Sequence, residues 1–396
     1  MILDGFLDSS TEATMADQLG VSARHLRRLF REHLGVSPNE LAKSTRAHFA
    51  RRLLDDTDVS VTEIAFAAGF GSVRQMNRVF REIFLSTPTE LRAKRRRADR
   101  LVADGGLPLR LPFEGPYDWA AMFRYLKASA VPGVEYVTDH WYRRTIFVDG
   151  DPGVLEIKPL DDQHLMMVAH LPHWEGLIHI ARRASSMFGL TTPTDRAREH
   201  LGEDPILGPL VDRFPGVRVP GAWDPFETAI VTIIGQENSP VETRLIAGRL
   251  VRQHGQTFPG LAGLGLTHLF PSPNALLGAD LDDLGISDRA RHAIHALTEA
   301  AAVGESTLDL STEAEHLVSS VSAIPGVTNK SSEYIAWRLG FQDVLPIDPD
   351  ELTELIRALG GQPEGAKRDS ESWRPWRSLA ASYLMVASPV PAVQAG

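Results

Sequence analysis

The sequence contains no cysteine among its 396 residues. Without thiols the chain cannot form disulfides, bind zinc or an iron–sulfur cluster through thiolates, or use a cysteine nucleophile. It also lacks any apolar run approaching about 18 residues and has no basic start like that of a secretory signal. We therefore expect neither a membrane span nor export, and a cytoplasmic location.

An overall positive charge is also missing, since the net charge is −10. Residues 1–105 hold 17 of the 41 basic and 14 of the 51 acidic residues, so this segment is +3 and the remainder −13. A local basic surface can bind DNA in an acidic protein, so the total does not exclude a nucleic-acid partner. The length predicts two or three globular domains.

Residues 1–105 contain an internal repeat with an offset of 50 residues. The segment SARHLRRLFREHLGVSPNEL from Ser22 aligns with SVRQMNRVFREIFLSTPTEL from Ser72. In each copy a serine precedes an amphipathic helix with arginines on its polar face, and a glycine turn at Gly69 precedes the second copy. This order predicts an all-α double helix-turn-helix domain with recognition helices near Ala23 to His33 and Val73 to Phe84.

The second copy, with IAFAAGFGS before it, resembles the second half of the AraC-type double helix-turn-helix domain, and the likeness spans about Thr14 to Arg92. Leu53 to Thr62 fits the helix that joins the two halves in that family, and the basic run Lys94 to Arg100 is expected to be a phosphate-contacting linker. A merely solvated arginine face is the weaker alternative because the context is duplicated. The side chains that the resemblance places in the major groove are Arg24, Arg27, Arg28, Arg74, Gln75, Asn77 and Arg78.

Residues 106–220 predict a small α+β module. LPLRLPF, VEYVTDHWYRRTIFVDGDPGVLEIKPL and HLMMVAHL alternate in the manner of strands, with a turn at Asp149 to Gly153. DWAAMFRYLKASA and WEGLIHIARRASSMFG are typical of helices. The histidines follow neither zinc-finger nor metalloprotease spacing, so we predict no metal site: His164, His170, His173 and His179.

Residues 221–396 predict an all-α domain. The stretch from Ala323 to Leu359 indicates a Pro-Gly hairpin, a helix, a linker and a second helix that opens with acidic residues. Asp348 precedes Pro349, and Glu351 follows three residues later, which is the pattern of a helix N-cap. A carboxylate at Asp348 would lie at the positive end of the helix dipole.

The motifs IIGQ, PSPNAL, LDDLGISDRARHAI, IPGV and WRPWRSLAASYL together resemble the helix-hairpin-helix DNA glycosylase superfamily. The 3-methyladenine DNA glycosylase II branch is the most similar, over about Leu107 to Val386, and PFEGPYDWAAMFRYLKASAVPGVE resembles its N-terminal module. The resemblance implies a hydrolase of N-glycosyl bonds that flips a damaged, alkylated purine from duplex DNA and removes it in base excision repair.

The resemblance also implies site residues. The carboxylate that stabilises the sugar cation is expected at Asp348, with Asp350 as the alternative. The residues of the DNA-backbone hairpin are Pro325, Gly326, Val327, Thr328 and Lys330, with no cofactor beyond a possible structural monovalent cation there. The base pocket and the wedge that enters the duplex are expected at Gln236, Glu237, Tyr334 and Met385.

Four positions depart from the pattern of that branch. Lys330 replaces a base-stacking tryptophan and lies 18 residues before Asp348, as the lysine nucleophile of the bifunctional glycosylase/lyases does. Thr328 puts a β-branched side chain where the hairpin pattern has a glycine suited to left-handed backbone, which suggests strain. Glu237 places an acidic side chain at the wedge, and Met385 replaces a pocket tryptophan. Lys330 therefore has two alternative roles, a phosphate contact or a nucleophile.

The whole arrangement resembles an adaptive-response regulator/glycosylase fusion. In the full form a cysteine-rich methyl-acceptor domain precedes the helix-turn-helix, whereas this chain starts at that boundary and has no cysteine, so we expect no methyl transfer. Three hypotheses follow. The first is a DNA glycosylase with an attached DNA-binding domain, and the second is a transcriptional regulator of a DNA-damage response whose glycosylase-like half has lost catalysis. The third, which is the weakest, is a bifunctional glycosylase/lyase that uses Lys330. Double-stranded DNA is the expected partner, and the chain is expected to be monomeric.

Overall fold

The structure is a computed structural model that describes residues 6–34, 36–93, 106–148, 151–171, 176–258, 263–303, 308–310, 312–361 and 370–387. The chain divides into two compact units. The first consists of Met1–Leu111 with Met166–Ala184, and the second of Pro112–Leu165 with Ser185–Gly396. The domain boundaries predicted at residues 105 and 220 stay predictions.

The described residues before position 94 are helical. Their helices are α1 (Phe6–Ser9), α2 (Glu12–Gln18), α3 (Ala23–Leu34), α4 (Pro38–Asp56), α5 (Val61–Ala67), α6 (Val73–Phe84) and α7 (Pro88–Ala93). Turns at Gly20 (φ 65°) and Gly69 (φ 77°) precede α3 and α6, and each uses the left-handed conformation that glycine adopts without strain. The two recognition helices predicted from the sequence therefore coincide with α3 and α6, while the predicted linker at Lys94 to Arg100 lies outside the described residues.

The sequence repeat reappears as repeated helix caps. The hydroxyls of Ser22 and Ser72 accept hydrogen bonds from the third residue of the helix that follows each of them. Ser37 with Glu40 closes a capping box at the start of α4, and the same pair of contacts recurs 50 residues later at Thr87 and Glu90. Local side-chain chemistry thus starts corresponding helices in both copies.

The helix that joins the two halves is longer than predicted and begins and ends earlier in the sequence. It is α4, which ends at Asp56, whereas Leu53 to Thr62 was expected to be one helix. A capping box at Ser60 interrupts the expected helix. The Ser60 hydroxyl accepts a hydrogen bond from the amide of Glu63, and the Glu63 carboxylate accepts one from the amide of Ser60. This capping box requires extended backbone at Ser60, so a new helix, α5, begins there.

Among the described residues between 106 and 187, five strands and two helices follow. They are β1 (Leu107–Pro112), α8 (Trp119–Ser129), β2 (Glu135–Val137), β3 (Tyr142–Val148), β4 (Asp151–Asp161), β5 (His164–His170) and α9 (Leu177–Met187). In the second unit β2, β3 and β4 pair antiparallel, and in the first unit β1 lies beside β5. The turn predicted at Asp149 to Gly153 extends too far along the sequence. Its last three residues belong to β4, which begins at Asp151, and Gly153 pairs with Ile146.

The remaining helices all belong to the second unit. They are α10 (Thr194–Gly202), α11 (Gly208–Arg213), α12 (Pro225–Gly235), α13 (Pro240–His254), α14 (Pro273–Leu276), α15 (Asp288–Ala302), α16 (Ala314–Ser322), α17 (Asn329–Arg338), α18 (Pro349–Ala358) and α19 (Arg377–Ala387). The helix α12 is central, since Ile230, Ile233 and Ile234 are at most 1% exposed. The predicted fold class of a helical double helix-turn-helix, a small sheet module and a helical domain is confirmed.

Replacing Ser60 with alanine is expected to loosen the start of α5. The substitution removes the hydroxyl that accepts from Glu63, and loss of such a cap costs about 1 kcal/mol. Hydrogen–deuterium exchange of the α5 amides in the full chain should accelerate by about fivefold. Thr62→Ala, an exposed change on the same helix, should leave the exchange rates unchanged. Equal rates in native protein and Ser60→Ala would show that the box contributes nothing.

Candidate active site

Asp348 occupies the N-cap position of α18, but its side chain makes no capping hydrogen bond. Its Oδ2 atom instead lies 3.2 Å from Nζ of Lys330, and its side chain is 53% exposed. Pro349 follows at the first helical position, where its missing N–H and fixed φ are tolerated. The carboxylate is therefore presented to solvent at the positive end of a helix instead of being used to start it.

Lys330 lies in the first turn of α17 and is held by two carboxylates. Its Nζ atom is 3.2 Å from Glu351 Oε2 as well as from Asp348 Oδ2, and its side chain is 16% exposed. Burial lowers the pKa of Lys330, but Glu351 and Asp348 together outweigh burial and raise that pKa above its usual value. The amine is thus an ammonium ion at neutral pH, which works against the nucleophile hypothesis because a Schiff base forms from the neutral amine.

Asp350, the alternative to Asp348, is exposed in the first turn of α18. Glu351, three residues after Asp348, turns towards Lys330 and does not complete a capping box. The structure therefore brings Lys330, Asp348 and Glu351 together as one cluster, which we call the Lys330 cluster.

The hairpin between α16 and α17 uses left-handed backbone at Gly326, where φ is 93°. A Cβ atom at Gly326 would lie 2.8 Å from the carbonyl oxygen of Arg289, so the position also excludes larger residues sterically. The Gly326 carbonyl accepts a hydrogen bond from Arg289 Nε at 3.0 Å. Pro325 is exposed beside it, and Val327 is buried in the core.

Thr328 does not strain the hairpin, contrary to the concern that a β-branched residue raises at a usual glycine position. Its backbone is extended, with φ −86° and ψ 157°, and it is the N-cap of α17. The hydroxyl of Thr328 accepts from the amide of Ser331 at 3.1 Å. The departure from glycine therefore supplies a helix cap, in a conformation that threonine readily adopts.

Gln236 is committed to the hairpin. Its side chain is 8% exposed; Nε2 donates to the Gly326 carbonyl at 3.2 Å, and Oε1 accepts from the Thr328 amide at 2.8 Å. These bonds leave its amide group inside the protein, so Gln236 braces the hairpin and cannot itself enter a duplex. Glu237, the next residue, is exposed in the loop between α12 and α13, where the sequence placed the wedge.

Tyr334 lies four residues after Lys330, on the same face of α17. It lines a cavity of about 50 Å³, which we call the polar cavity because Glu227, Arg144, Arg338 and several threonines contribute to its lining. Met385, which the sequence grouped with Tyr334, lines a separate and mainly apolar cavity of about 40 Å³ with Trp337 and Val386.

Tyr125 contributes to this region and was missed by the sequence reasoning. Its hydroxyl lies 2.5 Å from the Tyr334 hydroxyl and accepts from Arg338 Nη1 at 3.0 Å. Tyr125 also lines the cavity that contains Met385, so the tyrosine pair borders both cavities. The sequence signal was an aromatic residue on the buried face of the helix predicted from DWAAMFRYLKASA.

A buried charge cluster forms one wall of the polar cavity. Arg144 Nη2 donates to Glu227 Oε2 at 2.7 Å, and Arg144 Nη1 lies 3.8 Å from Glu135 Oε1. Burial raises the pKa of Glu227 to about 7 although Arg144 opposes the rise. The only sequence signal for this pair was a lone glutamate within the apolar helix WDPFETAIVTIIGQ.

The two recognition helices of the first unit present basic residues. Arg24, Arg28, Arg74 and Arg78 are exposed, as the sequence predicted. Asn77 is half-buried on α6, and the side-chain oxygen of Gln75 accepts from the Gly71 amide at 2.9 Å.

Arg27 has a structural partner. Its Nε atom pairs with Glu12, a residue that is 4% exposed and that also accepts from the Asn39 amide at 3.1 Å. Arg27 therefore helps to join α2, α3 and α4, in addition to any contact with DNA.

Within the described ranges no group of three or more histidine, aspartate or glutamate side chains is placed to hold a metal ion, and His164 instead pairs with Asp161. In the same part of the chain, no helix combines the length and hydrophobicity that crossing a membrane requires.

Two segments of the chain match known protein families. Residues 15–94 match the helix-turn-helix domain family, and residues 108–224 match the AlkA N-terminal domain family. The chain is 33% identical over 389 residues to the probable bifunctional transcriptional activator/DNA repair enzyme AlkA of Mycobacterium tuberculosis, which covers 97% of this chain and 78% of that protein. It is 29% identical over 280 residues to DNA-3-methyladenine glycosylase 2 of Escherichia coli, covering 69% of this chain and 95% of that one.

Solved structures show the same fold. The 3-methyladenine DNA-glycosylase from Archaeoglobus fulgidus superposes with a TM-score of 0.59 at 20% identity, over 69% of this chain and 96% of its own. The 8-oxoguanine glycosylase/lyase of Clostridium acetobutylicum superposes with a TM-score of 0.56 at 15% identity, over 72% of this chain and 97% of its own.

The class of protein is thus a DNA-binding protein that joins an AraC-type double helix-turn-helix to a DNA glycosylase fold. The chain belongs to the family of bifunctional AlkA transcriptional activator/DNA repair proteins.

Substituting Gln236 with glutamate is expected to destabilise the second unit. Glutamate can still accept near Thr328 but cannot, when ionised, donate to the buried carbonyl of Gly326, which costs about 1–3 kcal/mol. Urea unfolding at neutral pH should report this loss. Glu237→Gln, an exposed change at the adjacent position, should stay within about 0.5 kcal/mol of the native protein. A native-like midpoint for Gln236→Glu would contradict the bracing role.

Proposed function

We propose that the chain is a DNA glycosylase that releases damaged, alkylated purines by hydrolysis, with Asp348 as the essential carboxylate. The observation that carries the proposal is the state of Asp348: it stands at a helix N-terminus, forms no cap, and is half exposed next to the braced hairpin. The names of the relatives, a probable DNA repair enzyme and a DNA-3-methyladenine glycosylase, support the same class of substrate.

The reaction requires from the protein mainly a negative charge held beside the sugar. The bond between C1′ of the sugar and the base nitrogen breaks, its electron pair leaves with the base, and positive charge develops on the sugar. A carboxylate beside C1′ stabilises that charge. The oxygen of a water molecule then bonds to C1′ and loses a proton to solvent, which yields a free base and an abasic site.

The hairpin would hold the DNA backbone while this happens. Gln236 and Arg289 both bind the Gly326 carbonyl and keep the turn in one geometry. We propose that the backbone amides of the turn contact phosphate and that its carbonyls bind at most a monovalent cation. Since hydrolysis consumes only water, no organic cofactor is proposed.

The double helix-turn-helix would bring the chain to chosen sequences. Exposed arginines of α3 and α6 are suited to phosphates and guanine edges. We propose that the chain acts as a monomer, because it carries both helix-turn-helix units itself, and that it acts in the cytoplasm, where bacterial chromosomal DNA lies.

A DNA-binding regulator without catalysis is the second candidate. The observation that favours it is the Lys330–Asp348 ion pair, because the ammonium ion neutralises part of the charge that the sugar cation needs. The acidic Glu237 beside the expected duplex gap points the same way, because phosphates repel it.

Base release by the native chain and two matched variants decides between these candidates. From methylated duplex DNA, Asp348→Asn should release purines about a hundredfold more slowly or worse, since it keeps the shape but loses the charge. Asp350→Asn, two residues along the same helix, should retain nearly native rates. If the native protein releases no base from alkylated, oxidised or deaminated duplexes, the glycosylase proposal is rejected in favour of the DNA-binding regulator. If Asp350→Asn alone abolishes release, the carboxylate has been misassigned.

Footprinting on genomic DNA tests the first unit. Arg74→Ala with Arg78→Ala should abolish sequence-dependent protection and lower the salt slope of binding, because two exposed cationic contacts are lost. Arg196→Ala, which removes one exposed arginine from α10, should leave the footprint unchanged. Native binding that is independent of sequence would contradict operator recognition.

A further inference from the structure

The ammonium group of Lys330 is fixed beside the proposed catalytic carboxylate. Its Nζ atom contacts Asp348 Oδ2 and Glu351 Oε2, each at 3.2 Å, and its side chain is 16% exposed while that of Asp348 is 53% exposed. A lysine that bound phosphate from the surface would need none of this enclosure. The positive charge is thus held within contact distance of the group that faces the reacting sugar.

The direction of α17 places this charge one helical turn from a residue that lines the polar cavity. Tyr334 follows Lys330 by one helical turn on the same face, and Tyr334 lines the polar cavity. A base attached to a sugar at Asp348 would therefore pass close to Nζ of Lys330 on its way to that cavity.

A fixed positive charge discriminates between leaving bases by their charge. A cationic purine takes the electron pair of the breaking bond and departs neutral, so a nearby ammonium ion repels the base as it binds and gives the departing base no stabilisation. A neutral purine acquires negative charge as the same bond breaks, and an ammonium hydrogen bond stabilises that charge. The two classes of base should therefore respond to Lys330 in opposite senses.

We propose that Lys330 determines the specificity of the site for the charge of the base, favouring the release of uncharged damaged purines over cationic ones. The proposal rests on the proposed glycosylase function and narrows its substrates: among damaged purines, the uncharged ones are released more efficiently than the cationic ones that methylation of a ring nitrogen produces. Lys330 donates a hydrogen bond to the departing base and forms no covalent bond, so the base leaves with the electron pair and takes its proton from solvent.

The surroundings keep the charge on Lys330. Burial opposes it, but Glu351 and Asp348 raise the pKa of the amine above its usual value. Glu333, also on α17, is the third acidic group of this region; burial raises its pKa and Asp348 adds to the rise. A protonated Lys330 at neutral pH is the form that the selectivity requires.

Two duplexes measure the selectivity directly, one with hypoxanthine as a neutral base and one with 7-methylguanine as a cationic base. The ratio of their kcat/KM values for release, neutral over cationic, should fall by about tenfold or more in Lys330→Met. Lys330→Arg keeps the charge and should stay near the native ratio. Glu351→Gln removes a negative charge from the Lys330 cluster and should raise the ratio, whereas Glu354→Gln, an exposed change on the same helix, should not alter it.

Binding of uncleavable duplexes separates this proposal from the catalytic one. A duplex with a cationic pyrrolidine abasic analogue and one with a neutral tetrahydrofuran analogue require no turnover. Their relative affinity should shift by about tenfold towards the cation in Lys330→Met but not in Lys330→Arg. If the native protein releases no base but this shift occurs, the glycosylase proposal fails and the electrostatic role of Lys330 survives.

Two results would overturn the inference. One is an unchanged release ratio and unchanged relative affinity in a Lys330→Met protein whose thermal unfolding is native-like. The other is borohydride trapping of a covalent complex between native protein and DNA that disappears in Lys330→Met, because Lys330 would then be a nucleophile.

Discussion

The hydrogen bonds of Gln236 with the hairpin are the constraint on which the site depends. One side-chain amide at the end of α12 binds the carbonyl of Gly326 and the amide of Thr328, so it holds both sides of the turn. Thr328 caps α17, and the start of that helix sets where Lys330 stands. A central buried helix thereby sets the position of the charged groups that face solvent.

Asp348 is available for catalysis because its side chain does not cap the helix that it starts. The carboxylate of an N-cap aspartate before proline would ordinarily accept hydrogen bonds from the first amides of the helix. Here the helix begins with the side chain of Asp348 unbonded to the backbone, and the carboxylate meets Lys330. A group that is not needed for local stability is available for chemistry, and the same charges that position it also set which substrates it suits.

Local patterns allowed the helices and the candidate carboxylate to be predicted. The duplicated serine and glutamate caps depend on residues three apart, so the sequence shows them directly. The sequence interpretation failed at two places. At α4 and α5 the family resemblance extended one helix through the capping box at Ser60, and at Thr328 comparison with a glycine pattern suggested strain that the extended backbone avoids.

The sequence by itself determined the repeat, the order of helices and strands, and the position of Asp348 at a helix start, because each is encoded by neighbours within one or two turns. Only the tertiary structure decided that Gln236 is a brace, that Glu351 joins Lys330, and that Tyr125 meets Tyr334 across 209 residues of chain. Those pairings arise from how helices pack around α12. No pattern within a single segment specifies which distant side chain will satisfy a buried polar group.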